Sequence, residues 1–126
     1  ELLTEAAGVL SNPKLAFLFD ADALAEVPLS ADLPTLGRRM HGIIDRLIIL
    51  PDRVLAVDYK SNAVVPQNHA AVPDGILRQM GAYAQALLQI YPDRRIETAI
   101  LWTKTAELMP LPHETVTAAL EAARLS

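Results

Sequence analysis

The residues best suited to chemistry are two aspartates and a lysine, Asp45, Asp58 and Lys60, in the segment 42–62 (GIIDRLIILPDRVLAVDYKSN). Carboxylates are the hard oxygen ligands that Mg²⁺ prefers, and a nearby lysine can stabilise negative charge on a phosphoryl group. The backbone carbonyl of Tyr59 lies between Asp58 and Lys60 and can add a further oxygen ligand. These residue types predict a metal site with a catalytic lysine beside it.

Two β-strands joined by a tight turn must bring these side chains together. Alternation along a strand puts Asp58 and Lys60 on one face. If residues 51–52 form a two-residue turn, counting back sets Asp45 directly opposite Asp58, with the Cβ atoms about 5 Å apart. Like charges repel at that distance, and a divalent cation would compensate them. An odd-length loop breaks this parity unless a bulge restores it, and the same spacing also fits an ordinary surface hairpin.

Two further positions can support such a site. Gln79 and Tyr83 are four residues apart and share one face of a predicted helix, where they can contact a nucleotide or brace the metal site. The alternative is a tyrosine packed at the helix flank beside a solvated glutamine. Glu26, on the neighbouring strand, can act as a further metal ligand or supporting group, or can simply be a solvated edge-strand residue.

The remaining polar residues carry weaker signals. The three histidines show no metal-ligand spacing, and His41 is assigned a structural or DNA-facing role. Scattered basic residues can touch phosphates or face solvent: Lys14, Arg38, Arg39, Arg78, Arg94 and Arg95. No Gly-rich phosphate loop is present, so the chain binds no ATP by that route.

Composition limits the class of protein. The chain has 126 residues, 52% of them hydrophobic and 21% charged, which predicts one folded domain over 1–126. The absence of cysteine excludes disulfides, thiolate zinc sites and cysteine nucleophiles. No apolar run is long enough to cross a membrane and no signal peptide is visible, so a cytoplasmic location is expected. The net charge of −4 is unusual for a freestanding nucleic-acid binder.

The pattern of apolar residues predicts alternating helices and strands. Helices are expected over 1–10, 14–20, 76–91 and 114–125, and strands over 25–29, 38–50, 53–60, 97–103 and 108–111. Asp74 is the expected N-cap of the long helix. Residues 43, 47 and 49 are expected on one face of the second strand and 44 and 48 on the other, as in the middle of a sheet. This order predicts a mixed α/β (α+β) fold, with a central mixed sheet of about five strands flanked by helices.

Three motifs taken together resemble the PD-(D/E)XK nuclease family, and in particular its RecB-like branch. They are G-I-I-D at 42–45, V-D-Y-K-S-N at 57–62 and Q-M-G-A-Y at 79–83. The segments around them (LFD…AEVPL, IDRL and YP…AILWT…LMPLP) are similar to the C-terminal nuclease domain of AddA-type helicase–nucleases, which act in bacterial double-strand break repair. The resemblance covers nearly the whole chain.

The resemblance implies a restriction-endonuclease-like core and a role for each motif residue. Asp45 and Asp58 correspond to Mg²⁺ ligands, with Mn²⁺ able to substitute, and Lys60 to the catalytic lysine. Gln79 and Tyr83 match the Q-x-x-x-Y motif associated with the active site and DNA. The implied reaction is hydrolysis of DNA phosphodiester bonds by a metal-activated water.

The resemblance also implies partners. These are DNA, helicase domains of the same parent chain, which alone would use ATP, and an AddB-type subunit. That partner's nuclease carries an iron–sulfur cluster, and the lack of cysteine here predicts none. RecB-like nucleases place a histidine on a helix upstream of the first strand, and no histidine precedes Asp20. We therefore expect an N-terminally truncated fragment of a longer helicase–nuclease, with weakened metal binding and activity.

Two other functions fit less well. A non-catalytic DNA-binding or docking module that keeps the nuclease fold would show no metal-dependent cleavage. The presence of all three of Asp45, Asp58 and Lys60 argues against it. A small phosphatase or nucleotide hydrolase could use the same carboxylates, but no base-binding or phosphate-loop feature supports one.

Overall fold

The computed structural model describes residue 8 and residues 12–19, 23–62 and 64–124. Its elements, in chain order, are a 3₁₀ helix at Pro13–Phe19, β1 at Ala23–Leu33, β2 at Arg38–Ile49, β3 at Arg53–Lys60, a 3₁₀ turn at His69–Ala71, α1 at Asp74–Ile90, β4 at Arg95–Trp102, β5 at Glu107–Leu111 and α2 at His113–Arg124. The helix predicted over 1–10 lies outside the described residues except for Gly8, which is helical.

Within the described residues, five strands form one sheet in the order β1-β2-β3-β4-β5. Neighbouring strands are antiparallel except β3 and β4, which are parallel. The parallel pair follows from α1, because a helical crossover returns the chain to the same end of the sheet. The predicted mixed sheet flanked by helices is confirmed.

The β2–β3 hairpin has the predicted two-residue turn. The backbone N–H of Leu50 donates to the carbonyl of Arg53 at 2.8 Å, and the ladder runs from there to the pair Arg46 and Val57. The register is therefore the even one, in which the next residues beyond the ladder are Asp45 and Asp58.

The sheet is covered on both faces, as the apolar β2 and β3 predict. The face toward α1 and α2 holds the larger core, which includes Leu29, Ile44, Val54, Met80, Leu87 and Trp102. The other face packs Leu15, Leu18, Ile48, Val57, Ala99 and Leu101. Phe17 is 38% exposed. Its segment is a 3₁₀ helix with three residues per turn, so Leu15 and Leu18 share a face that Phe17 does not.

The alternation of β2 side chains changes at Asp45, which contradicts the predicted faces. Ile44 and Leu47 pack in the same core, and Ile43 is 58% exposed. The β1–β2 ladder omits the pair formed by Asp45 and Glu26, and Glu26 has a left-handed φ of 51°. The change of faces in β2 therefore coincides with a break in the β1–β2 ladder at the left-handed Glu26.

Several element boundaries differ from prediction. β1 is longer than the strand predicted over 25–29, since it runs from Ala23 to Leu33, and Pro28 lies in this edge strand. α1 begins at Asp74, so the prediction that Asp74 is its N-cap was wrong. The Pro73 carbonyl accepts from the N–H groups of Ile76 and Leu77, which makes Pro73 the cap.

The buried face of α1 includes Tyr83, while Leu88 is 43% exposed. Besides the sheet, α1 packs against α2. A Cβ at Gly81 would lie 2.3 Å from the carbonyl oxygen of Val116, so the two helices approach at this glycine. Neither helix in the described part of the chain is long and apolar enough to cross a membrane.

Candidate active site

Asp45 lies where β2 separates from β3. Its side chain accepts a hydrogen bond in place of the backbone carbonyl that would have continued the ladder between the two strands. Its Oδ2 accepts a hydrogen bond from the backbone N–H of Tyr59 at 2.7 Å. This bond holds the Asp45 carboxylate against the peptide that joins Tyr59 to Asp58. The structure therefore brings together the two aspartates that the hairpin register placed opposite each other.

Asp58 is a buried carboxylate, 5% exposed, on the face of β3 toward α1. Its Oδ2 lies 2.8 Å from Nζ of Lys60 in an ion pair. Burial raises the pKa of Asp58, Lys60 opposes that rise, and the Asp45 carboxylate adds to it. Because Asp45 is hydrogen-bonded to the peptide that follows Asp58, the two carboxylates lie in one local environment.

Lys60 is also held by α1. Its Nζ donates to Oε1 of Gln79 at 3.3 Å, and Nε2 of Gln79 donates to the hydroxyl of Tyr83 at 3.2 Å. The Tyr83 hydroxyl in turn donates to the carbonyl of Ile43 at 3.3 Å. These bonds run from Lys60 on β3 to the backbone of β2, two residues before Asp45. The glutamine is therefore not merely solvated, and the tyrosine is not merely packed at the helix flank.

Gly42 makes room for the Tyr83 ring. A Cβ at Gly42 would lie 2.8 Å from Cε1 and 3.0 Å from the hydroxyl oxygen of Tyr83. Burial raises the pKa of Tyr83, and the charges of Asp58 and Asp45 raise it further. The phenol therefore stays protonated at neutral pH, as its hydrogen bond to the Ile43 carbonyl requires. Sequence reasoning quoted Gly42 only within a motif, although a glycine inside a strand signals close approach of another group.

The side chain of Tyr59 belongs to the opposite face of β3. Its hydroxyl accepts a hydrogen bond from Nε of Arg46 at 2.9 Å, and it packs beside the smaller core. Burial raises the pKa of Tyr59, and hydrogen bonding to Arg46 opposes that rise. The backbone N–H of Tyr59 serves Asp45, while its carbonyl remains a predicted metal ligand.

Glu26 occupies β1 at the level of Asp45 but is not joined to the other site residues. Its side chain is exposed and makes no hydrogen bond or ion pair with any residue that the structure describes. The register of β1 and β2 nevertheless sets Glu26 opposite Asp45, between the pairs Ala25–Arg46 and Val27–Ile44. Glu26 thus interrupts the β1–β2 ladder opposite Asp45, where its φ is left-handed.

The donor set suits a hard divalent cation. The buried Oδ2 of Asp58 has an ion-pair contact but no directed hydrogen bond, so this oxygen retains capacity for a ligand. No group of three or more His, Asp or Glu residues that could hold a metal is found in the described part of the chain. An ion at Asp45 and Asp58 would therefore keep water or substrate oxygens in its remaining positions, as Mg²⁺ commonly does.

One cavity formed by the described residues lies away from the aspartate–lysine cluster. It measures about 810 Å³, and both apolar and polar residues line it, among them Phe17, Leu88 and Arg94. No member of the aspartate–lysine cluster lines this cavity, so the candidate active site rests on the arrangement of those side chains and not on cavity volume.

Comparison with known proteins gives a family match. A model of the PD-(D/E)XK nuclease superfamily matches residues 9–123, a range that contains the whole cluster. The chain is also similar to the crystal structure of SSO0001, with 12% identity and a TM-score of 0.48, over 98% of this chain and 58% of that one. This chain thus spans less than two thirds of that protein's length. No curated protein sequence matches it.

Proposed function

This chain belongs to the PD-(D/E)XK nuclease superfamily, and from that membership we propose that it hydrolyses DNA phosphodiester bonds in a metal-dependent reaction. The observation that carries the proposal is the convergence of two carboxylates and a lysine at the point where β2 leaves β3. Asp45 is fixed by the Tyr59 N–H at 2.7 Å, and Asp58 by Lys60 at 2.8 Å.

We assign the metal to the carboxylates of Asp45 and Asp58, with the Tyr59 carbonyl as a third ligand. Members of this superfamily typically use divalent metal ions, and the oxygen donor set favours Mg²⁺, with Mn²⁺ able to substitute. A bound ion of this kind supplies Lewis-acid polarisation of a phosphoryl oxygen and lowers the pKa of a bound water.

The residues of the chain have separate tasks in this proposal. The Tyr59 N–H orients the Asp45 carboxylate. Lys60 offsets the charge of Asp58 in the free protein, and its ammonium group is positioned to stabilise negative charge that develops on the phosphoryl oxygens. Gln79 and Tyr83 position Lys60 from α1, and Glu26 supports the site from β1.

We further propose that the domain is the nuclease domain of an AddA-type helicase–nuclease of the RecB-like branch. It would act as an exonuclease on strands delivered by helicase domains of the same parent chain, which would use the ATP, together with an AddB-type subunit. The net charge of −4 supports this arrangement, because other domains would supply most of the positive charge that DNA binding needs.

Cleavage of linear DNA with and without Mg²⁺ or Mn²⁺ tests the proposal, using this chain and the longer parent chain. We expect Asp58→Asn and Lys60→Ala to lose cleavage. Asp52→Asn, the same chemical change in the exposed turn at the far end of the hairpin, should retain it. If the longer protein binds DNA but cleaves none with either metal, the chain is a non-catalytic DNA-binding or docking module. Equal cleavage by Asp58→Asn and wild type would also refute the assignment.

A further inference from the structure

A second groove lies beside Lys60, between the beginning of β2 and α1. It measures about 690 Å³, and its polar lining consists of Arg38, Arg39, His41, Arg78 and Gln79. Gln79 connects this groove to the candidate active site, because its Oε1 accepts the hydrogen bond from Lys60 at 3.3 Å. A molecule bound in the groove would therefore extend to the catalytic lysine.

The charge of the groove is opposite to that of the chain. No aspartate or glutamate lines the groove among the described residues, although the net charge of the protein is −4. Arg39 forms an exposed ion pair with Asp32 at 3.1 Å. Arg38 and Arg78 are exposed and have no ion pair within the part of the chain that the structure describes. Two uncompensated guanidinium groups thus line one concave surface.

These groups are suited to phosphate. The planar guanidinium of arginine donates two parallel hydrogen bonds to phosphate oxygens and is less strongly hydrated than an ammonium group. The described lining contains no Phe, Tyr or Trp on which a base could stack, so we expect contacts to the nucleic-acid backbone to dominate in this groove. Its volume falls within the range of small-ligand sites, which suits a few nucleotides of one strand.

We propose that this groove binds the sugar–phosphate backbone of a single DNA strand next to the phosphate that is cleaved, with Arg38 and Arg78 as the phosphate contacts. The identity of the strand as DNA rests on the proposed nuclease function. The groove explains how a domain with a net charge of −4 holds a polyanion, because among the described residues three arginines and no acidic residue line it.

The test is binding of a labelled, mixed-sequence single-stranded DNA in EDTA, which prevents cleavage. The variant Arg38→Glu with Arg78→Glu is compared with Arg94→Glu with Arg95→Glu, which changes the net charge equally. Arg94 and Arg95 lie at the opposite end of the sheet from Lys60, because Arg95 pairs with Arg53 and Lys60 with Trp102. The milder pair Arg38→Gln with Arg78→Gln provides a second groove variant if the glutamate pair does not fold.

We expect the groove variant to lose about tenfold or more in affinity and to lower the salt dependence of log K by about 1.4, the value for two phosphates of a single strand. The control should stay within about twofold of wild type. Equal losses in both variants, loss in neither, or no binding by wild type would overturn the proposal. Tighter binding of RNA of the same sequence through the same arginines would also overturn it.

Cleavage assays with Mg²⁺ separate this inference from the proposed function. If wild type cleaves DNA and the groove variant cleaves with an unchanged KM, only the groove assignment fails. If no protein cleaves but the groove variant alone loses DNA binding, the backbone site stands and the nuclease assignment fails.

Discussion

The Asp45 carboxylate accepts a hydrogen bond from the Tyr59 backbone N–H at 2.7 Å, just beyond Arg46 and Val57, the last paired residues of β2 and β3. The Tyr59 N–H would have continued the backbone ladder, and here a side-chain carboxylate accepts its hydrogen bond instead. The same bond holds Asp45 beside Asp58, the residue that precedes Tyr59. The point at which the sheet opens is therefore also the point at which the candidate metal ligands meet.

Replacing Gly42 by alanine should displace Tyr83. The added Cβ would lie 2.8 Å from the ring, and overpacking of this kind costs about 1–3 kcal/mol of stability. Thermal or urea unfolding measures this cost. Gly75→Ala is the matched control, because the nearest atom to its Cβ is a guanidinium nitrogen of Arg78 at 4.0 Å. A Gly42→Ala protein as stable as the control would contradict the packing described here.

Asp58→Asn should raise the stability of the metal-free protein at neutral pH. The folded state raises the pKa of Asp58 above its ordinary value of 3.8, mainly by burial, so folding binds a proton. The free energy of unfolding therefore falls as the pH rises from 3.8 through the raised pKa of Asp58, and it stays lower at higher pH. The variant avoids this cost. Urea unfolding of both proteins should show a difference that shrinks toward zero below pH 3.8; a pH-independent difference would rule out this origin.

Gln79 should act through Lys60 and not independently. Gln79→Ala removes the acceptor at 3.3 Å from Nζ of Lys60, so it should slow DNA cleavage in the wild-type background. In a Lys60→Ala background the same change should have little further effect on the rate. This double-mutant cycle measures the coupling of the two residues. Strictly additive losses would mean that Gln79 contributes by another route.

Glu26→Gly should stabilise the fold. A non-glycine residue in the left-handed region costs about 1–2 kcal/mol, and glycine adopts the φ of 51° without that strain. Glu26→Gln keeps the strained backbone and should change stability by less than about 0.5 kcal/mol. Unfolding measurements on both variants separate the backbone from the carboxylate. If the glycine variant is less stable than wild type, the left-handed residue does not strain the strand.

The same pair of variants examines the predicted supporting role of the Glu26 carboxylate. If that role is real, Glu26→Gln should slow metal-dependent cleavage without changing stability. Unchanged cleavage would leave Glu26 only its effect on the path of β1.

The hairpin could be predicted from the sequence because turn length and side-chain alternation depend only on residues close together in the chain. A two-residue turn fixes the parity of both strands, so the approach of Asp45 to Asp58 followed from counting. The change of faces at Asp45 did not follow from the pattern. It coincides with a left-handed Glu26 on the neighbouring strand, and glutamate gives no signal for that conformation. The burial of Tyr83 was missed for another reason. It depends on the open space at Gly42, a contact between residues far apart in the chain.

Titration with Mn²⁺ followed by electron paramagnetic resonance tests the central claim most directly, because it measures the metal site without requiring cleavage. We predict one bound ion per chain in wild type and in Asp52→Asn, and strongly weakened binding in Asp45→Asn and in Asp58→Asn. Undiminished binding in the two site variants would contradict the claim that these carboxylates form the metal centre.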